Sequence, residues 1–376
     1  MKIALLFNFN PVWTGGIIYL QNCIRILKFL DPEDKPELLV FIPPQLKHYI
    51  EGIDYQKLEV IDWNFPSPKM GFLESLIRQE NLFVRDIIQE FQPDILFPQQ
   101  NFPVSTKNQS KDLAWYADLQ HKYYPEFFTR SKRIERDLRI RFTLKNATDI
   151  LVSSEAVMND FYKWYEIPSH IQFHTYRFVS IVDTLPNLNA EDIRKKYGLP
   201  EKYFMVSNQF HRHKNHKTVF EAMATLKRQG VPIHLAVTGR LPLDPASAYL
   251  KELQEILKKN QLGDTISLLG LIPREEQLLL MRQAKAIIQP SLFEGWSTVI
   301  EDARSLQVPV IASDIDVNRE QLGDTGFYFP PHNSDTLVRR MKAISNRQFM
   351  RDLYEPYELR MKRAAYELLG IFRKIR

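Results

Sequence analysis

Apolar residues come in short runs of four or five along this chain, each closed by a polar, glycine- or proline-containing turn and followed by apolar positions at helical spacing. Runs this short without polar alternation predict strands buried on both faces, and the intervening periodicity predicts amphipathic helices. In the first half, strands are expected from Ile3 to Phe7, Leu38 to Ile42, Leu58 to Ile61, Asp94 to Phe97, Leu113 to Tyr116 and Asp149 to Val152. A turn at Thr14-Gly15-Gly16 is expected after the first of them, then a helix carrying Ile17, Leu20, Ile24 and Leu27. A second series runs from Tyr203 to Val206, His234 to Val237, Ile266 to Leu269, Ala286 to Ile288 and Val310 to Ala312. Between them the polar stretch Asp183 to Asn189 reads as a linker, which sets expected domains at 1–182 and 183–356 and leaves a helix at about 357–376 to pack back on the first. Two such α/β series imply two doubly wound, Rossmann-like domains facing each other across a cleft, with ligands beyond the carboxyl ends of the strands.

Composition narrows the class without naming a chemistry. A chain of 376 residues with 44% apolar and 25% charged residues is ordinary for a globular protein of about two domains. The lone Cys23 excludes an internal disulfide framework and suits a reducing compartment. Met1 to Phe7 is too short, and too soon broken by Asn8, Asn10 and Pro11, for a signal peptide, and no run is long enough to span a bilayer. The expected location is the cytoplasm, with the inner face of the membrane left open, and the sequons at Asn108 and Asn146 are read as empty. A formal charge of +5 and a pI of 9.0 favour anionic ligands or a negatively charged membrane surface. Nucleic acid is not expected, because the basic residues are scattered among acids and no recognition module appears. The C-terminal run Arg360 to Arg376 is the most basic segment, and two readings stand for it: a solvated helix face or a peripheral membrane contact.

The densest chemistry lies between Pro290 and Ala303. A buried strand ending at Gln289 is closed by Pro290, and a helix is expected from the N-cap candidate Ser297, with Val299, Ile300, Ala303 and Leu306 on its apolar face. Free amides at Trp296, Ser297 and Thr298, together with the helix dipole, would make an anion site suited to a phosphate. Glu294 stands at its mouth. Glu301, about one turn inside, would project from the same crevice with acceptor oxygens for hydroxyl groups. The competing reading is an ordinary strand-to-helix junction with two solvated acids.

Phe293-Glu294-Gly295, then Glu301-Asp302-Ala303, then Val308-Pro309-Val310-Ile311-Ala312-Ser313-Asp314 resembles the signature of retaining glycosyltransferases of family four, which have the GT-B fold. The resemblance implies that Glu294 contacts the donor sugar, that the turn through Gly295, Trp296, Ser297 and Thr298 offers amides to sugar and phosphate, and that Glu301 holds the nucleotide ribose. The family's spacing is Glu-x7-Glu; here one residue fewer separates Glu294 from Glu301, and Gly295-Trp296-Ser297 replaces the glycine-rich turn. The loop from Ser207 to His216 resembles the one that supplies an arginine and a lysine to the diphosphate: Lys214 matches the lysine, Gln209 stands beside Asn208 in place of the arginine, and Arg212 is a candidate to compensate. Fixed cations there stabilise the charge of a departing nucleoside diphosphate. Gly239-Arg240 and Gly270-Leu271 resemble the loops flanking the base. In the first domain Gly15-Gly16 matches the family's glycine turn. Asp118 matches the aspartate of a His-Asp pair whose histidine is replaced by Ala117; His121 lies three residues on and reads equally as a core or capping histidine.

Metal sites are not expected. His211, His213 and His216 cluster in one loop, but no cysteine or carboxylate completes the set. Asp314-Ile315-Asp316 looks like the Asp-x-Asp of metal-dependent enzymes, yet it ends a late strand and is read as a turn with Asp314 as a cap. The expected activity is transfer, with retention, of a hexose from a UDP- or GDP-linked sugar to a glycan, lipid-linked or other hydroxyl acceptor, as in cell-envelope polysaccharide biosynthesis, the nucleotide sugar being co-substrate with no resident cofactor. Alternatives are an NDP-sugar epimerase of the same fold and a non-catalytic nucleotide-sugar-binding protein, which would have no need of Glu294. A dinucleotide oxidoreductase is disfavoured because no Gly-x-Gly-x-x-Gly follows an expected strand.

Overall fold

The computed structural model describes residues 1–9, 14–99, 111–182, 188–241, 247–347 and 352–376. Residues 183–187 of the expected linker and the sequon at Asn108 lie outside them. By internal contacts the chain divides into two units, Met1–Phe178 with Glu358–Arg376, and Val179–Tyr357.

The first unit opens with β1 (Lys2–Leu6), α1 (Thr14–Ile26), β2 (Glu37–Ile42) and β3 (Leu58–Asp62). It continues through α2 (Pro68–Arg78), α3 (Arg85–Phe91), β4 (Ile95–Gln99) and β5 (Lys111–Tyr116). Then come α4 (Gln120–Tyr123), α5 (Arg130–Asn146), β6 (Asp149–Val152), α6 (Glu155–Trp164) and β7 (Gln172–Thr175). The strands form one parallel seven-stranded sheet in the order β3-β2-β1-β4-β5-β6-β7. Ile3, Ala4, Leu5 and Leu6 of β1 are all buried, as a central strand covered on both faces requires. The strand β7 is not legible from its apolar content: Gln172-Phe173-His174-Thr175 sits at the sheet edge and is tied to β6 by His174 Nε2, 2.7 Å from Asp149 Oδ1. The turn expected at Thr14-Gly15-Gly16 is instead the first turn of α1. Ile17 and Leu20 are already inside the helix and fully buried, so the chain has to wind before the apolar stripe begins.

The second unit comprises α7 (Ala190–Lys196), β8 (Phe204–Ser207), α8 (His216–Arg228), β9 (Leu235–Thr238) and α9 (Ala248–Lys259). These are followed by β10 (Ile266–Gly270), α10 (Arg274–Gln283), β11 (Ile287–Gln289) and α11 (Thr298–Ser305). The unit ends with β12 (Val310–Ser313), α12 (Asp316–Leu322), β13 (Phe327–Phe329) and α13 (Ser334–Ser345). Its six strands are parallel in the order β10-β9-β8-β11-β12-β13. One face is sealed by Val219, Phe220, Met223 and Leu226 of α8 against Val206, Val237 and Ile288, the other by Leu279, Ile300 and Ala303 against Met205, Ile287 and Val310. The order reverses between β8 and β11, so the loops leaving those two adjacent strands diverge and open a crevice at their carboxyl ends.

The C-terminal helix α14 (Tyr357–Ile375) buries Met361, Ala364, Ala365, Leu368 and Phe372, with Phe372 edge-on to Phe97 at 5.7 Å between ring centroids. Lys362 pairs with Asp31 at 3.0 Å, Arg373 with Asp34 at 2.5 Å and Arg376 with Asp94 at 3.1 Å. The apolar face of the most basic segment is thus spent inside the fold, and much of its charge is paired. Among the described residues no helix is long and apolar enough to cross a membrane.

Gly239, just beyond β9, fixes how closely the loops of the second unit pack. Its φ is +139°, and a Cβ there would stand 2.0 Å from the carbonyl oxygen of Asn208. Gly239→Ala should therefore destabilise the protein by at least about 2 kcal/mol, since backbone strain and a clash with backbone add. Gly263→Ala, where φ is ordinary and a Cβ meets open space, should stay within about 0.5 kcal/mol. Thermal unfolding followed by circular dichroism compares the two; equal midpoints would contradict the packing argument.

Candidate active site

Four side chains meet where β8 and β11 end. Asn208, one residue past β8, donates from Nδ2 to Oε1 of Gln289, the last residue of β11, at 2.8 Å. Gln289 Nε2 in turn donates to Glu294 Oε1 at 2.8 Å and to Ser291 Oγ at 3.1 Å. Lys214 Nζ donates to the same Glu294 oxygen at 2.5 Å. Both charged side chains are largely withdrawn from water, with 19% of Lys214 and 11% of Glu294 exposed, so neither charge could be left uncompensated cheaply.

Backbone contacts hold this pair in register. Lys214 ends a short 3₁₀ turn, Arg212–Lys214, and Asn215 after it is left-handed at φ +54°, a conformation asparagine tolerates better than most residues. Asn215 Nδ2 donates to the carbonyls of Pro290 at 3.2 Å and Pro331 at 2.7 Å, while its Oδ1 accepts from Thr218 at 3.0 Å. The Leu292 amide donates to the His213 carbonyl at 2.7 Å. The loop after β8 is thereby stitched to the loop after β11.

The histidines of that loop are neutral spacers around the lysine. His216, the fully buried first residue of α8, stacks flat on Phe210 with ring centroids 4.2 Å apart, and burial pushes its imidazole down to about 3. Burial, with Lys214 close by, pushes His213 down to about 3 as well, and His211 is lowered for the same reasons. Among the described residues no group of three or more His, Cys, Asp or Glu is arranged to hold a metal ion. Arg212 is committed elsewhere: it pairs with Glu252 at 3.1 Å and lies over the Tyr249 ring at 5.0 Å.

Ser297 caps α11 as expected, its Oγ accepting from the Ile300 amide at 3.3 Å. Its own amide is not free: Gln321 Oε1 of α12 accepts from it at 3.2 Å, because a buried N–H needs a partner. Gln321 Nε2 donates to the Ser297 carbonyl at 2.8 Å and to Glu301 Oε1 at 2.9 Å, and Arg304 also donates to Glu301 Oε1, at 2.8 Å. Glu301 has no exposed surface. Trp296 and Gly295 are buried, and Thr298 is half-buried. The neighbouring Asp302 forms a two-point ion pair with Arg274 and accepts from Ser180.

The remaining candidates scatter. The Gly239 amide donates to the Gly270 carbonyl at 2.9 Å, with Arg240 exposed and Leu271 70% exposed beside them. Gln209 is exposed and lies 3.0 Å from His211. Asp314 does not cap α12, whose N-cap is Ile315; it grips Arg319 at 2.5 and 2.7 Å instead, since a guanidinium one turn on offers two donors where the helix end offers one. In the first unit, Asp118 Oδ1 accepts from the Gln120 amide at 2.9 Å, and Arg136 lies 3.7 Å from it. His121 is 2% exposed, accepts at Nδ1 from Arg136 at 3.3 Å and lies 3.2 Å from Asp137 by Nε2. Gly15 and Gly16 open α1, the first exposed and the second buried.

Sequence reading missed Gln289, Gln321, Arg304 and Arg136. Gln289 had a signal, a polar residue closing an otherwise apolar buried strand; the other three are ordinary helical polar residues whose roles come only from tertiary neighbours.

Comparisons with known proteins bear on the family and the fold. Residues 189–367 match the family model described as Glycosyl transferases group 1. Among curated proteins, the O-antigen chain mannosyltransferase RfbU of Salmonella typhimurium is 24% identical over 60% of this chain and 59% of its own length. Alpha-D-kanosaminyltransferase of Streptomyces kanamyceticus is 19% identical over 62% of each. The chain thus spans about 60% of the length of these relatives. Among solved structures, a glycosyltransferase from Rickettsia africae superposes with a TM-score of 0.68 at 16% identity, over 100% of this chain and 98% of that one. Anabaena HepE in complex with UDP gives 0.66 at 17% identity, over 100% and 95%. Likeness at such low identity speaks for the fold, two Rossmann-like units of the GT-B kind. Residues 189–367 thus match the glycosyl transferases group 1 family, and in sequence and fold the chain is similar to glycosyltransferases.

Proposed function

We propose that the chain transfers a sugar from a nucleoside-diphosphate donor to a hydroxyl group of a glycan or lipid-linked acceptor, with retention and without a metal ion. The observation that carries this reading is the Lys214–Glu294 pair in the crevice beyond β8 and β11. A cation and an acceptor are pre-assembled there from two loops. The diphosphate would replace Glu294 as the partner of Lys214, and the released carboxylate, still oriented by Gln289, would accept from a hydroxyl of the donor sugar. The sugar C1–O bond to the β-phosphate then breaks while the acceptor oxygen bonds to C1 on the same face. The acceptor proton passes to a phosphate oxygen, and the nucleoside diphosphate leaves. Lys214 opposes the charge that grows on the β-phosphate, the step at which a fixed cation lowers the barrier. Glu301, held by Arg304 and Gln321, is the candidate for the ribose, and the turn at Gly239 and Leu271 for the base. Relatives named as mannosyltransferases and the neighbour solved with UDP support a hexose linked to UDP or GDP.

Lys214→Ala should weaken UDP or GDP binding by about 1.5 to 3 kcal/mol, the worth of one charge-assisted contact, and depress turnover. Glu294→Gln should keep the nucleotide affinity and lose transfer. Titration calorimetry and a nucleotide-release assay measure the two; unchanged nucleotide affinity in Lys214→Ala would remove it from the site.

Transfer should survive exhaustive EDTA treatment, because Lys214 supplies the compensation that a divalent cation gives elsewhere. The anomeric configuration of the product, read by proton NMR, should match that of the donor. Activity abolished by EDTA and restored by magnesium or manganese would contradict the metal-free mechanism. Donor turnover that yields an isomerised sugar nucleotide with no acceptor required would favour an epimerase.

A further inference from the structure

Two helices of the first unit carry a surface unlike an ordinary solvated exterior. On α2, Met70, Leu73 and Ile77 are 56%, 51% and 73% exposed, and their spacing puts them along one side of the helix. On α5, Ile134 and Leu138 are 52% and 51% exposed, one turn apart. The helices are neighbours: Phe72 of α2 meets Phe142 of α5 edge-on with centroids 5.7 Å apart, and Lys69 acts on the Glu135 carboxylate. Large apolar side chains grouped this way in water mark an interaction surface more often than chance.

The charge on α5 says what kind. Its 17 residues carry seven arginines and lysines against two acids. That excess equals the formal net charge of +5 of the whole chain. Both acids are already taken, Glu135 by Lys132 and Arg139, Asp137 by Lys122 and the hydroxyl of Tyr165. Arg130, Arg141 and Lys145 are exposed and enter no ion pair among the described residues. They recur at helical spacing with Ile134 and Leu138, giving one stripe in which an apolar pair lies between cationic side chains.

We propose that this α2–α5 face docks on an anionic lipid bilayer. The apolar side chains would enter the boundary between headgroups and acyl chains, and the unpaired basic residues would meet lipid phosphates. A nucleic acid would use the charges and leave Met70, Leu73 and Ile77 in water; a bilayer takes both. The basic C-terminal helix is the poorer candidate, since its apolar face is buried and Lys362, Arg373 and Arg376 are paired. The proposal stands on the surface of the first unit and does not rest on the sugar-transfer reading.

Co-sedimentation of the full chain with vesicles of phosphatidylcholine plus phosphatidylglycerol, against phosphatidylcholine alone, tests it. The chain should bind the anionic vesicles and release with added salt. Each basic residue near a charged surface contributes about fivefold, so Arg141→Gln with Lys145→Gln should weaken partition on the order of tenfold or more. Leu73→Ser with Ile77→Ser should weaken it comparably, and Lys362→Gln should not change it, with circular dichroism confirming the fold of each variant. Failure to bind anionic vesicles, undiminished wild-type binding by the α2 and α5 variants, or loss confined to Lys362→Gln would overturn the proposal. A dimer seen by light scattering and abolished by Leu73→Ser with Ile77→Ser, without vesicle binding, would overturn it too and give the face to a second copy.

Discussion

The reversal of strand order between β8 and β11 is the constraint on which the second unit depends. Two parallel neighbours whose connections run to opposite sides must send their loops apart, and the crevice that results is lined by whatever residues follow the two strands. Here those residues are Asn208 and Gln289, and they hydrogen-bond each other across the gap. Gln289 then orients Glu294, and Glu294 holds Lys214. An ion pair on an open surface would be worth under about 1 kcal/mol, but this one is mostly withdrawn from water, where stranding either charge costs several times more. The pairing therefore keeps a cation and a carboxylate together in a place that would otherwise expel both. A diphosphate is the kind of ligand that can take over one half of it.

The same economy explains the surroundings. Three histidines crowd Lys214 without adding charge, because burial holds them neutral, so the lysine is the cation that faces Glu294. Gly239 has no room for a side chain because the backbone of Asn208 occupies it, which keeps the β8 and β9 loops packed against each other under the site. Around α11, Gln321 satisfies both the amide and the carbonyl of Ser297 and reaches Glu301, so that helix start is anchored to α12 as well as to its own cap.

Much of this was legible in the chain. Strands buried on both faces announce themselves by continuous apolar runs, and the expected positions of β1 to β6 and β8 to β12 lie within two residues of those found. The strands β7 and β13 were not: Gln172-Phe173-His174-Thr175 has little apolar content and is held by a histidine-aspartate contact that no periodicity encodes, and Phe327-Tyr328-Phe329 is only three residues long. Local signals gave Ser297 as a cap and Glu294 at its mouth, and the family resemblance brought out Lys214, but neither could say that Lys214 and Glu294 touch, which depends on β8 and β11 being neighbours. Nor could they say that Arg212 turns to Glu252, that the Ser297 amide is occupied, or that Asp314 grips Arg319. The outward apolar stripe of α2 reads from sequence like any core-facing stripe, and only the fold reveals that Met70, Leu73 and Ile77 are more than half exposed.

A structure of the chain with UDP or GDP bound tests the central claim most directly. The account predicts that Lys214 Nζ leaves Glu294 and lies within hydrogen-bond reach of the β-phosphate, with the diphosphate in the crevice beyond β8 and β11. A bound nucleotide whose phosphates lie elsewhere while the Lys214–Glu294 pair stays closed would contradict it.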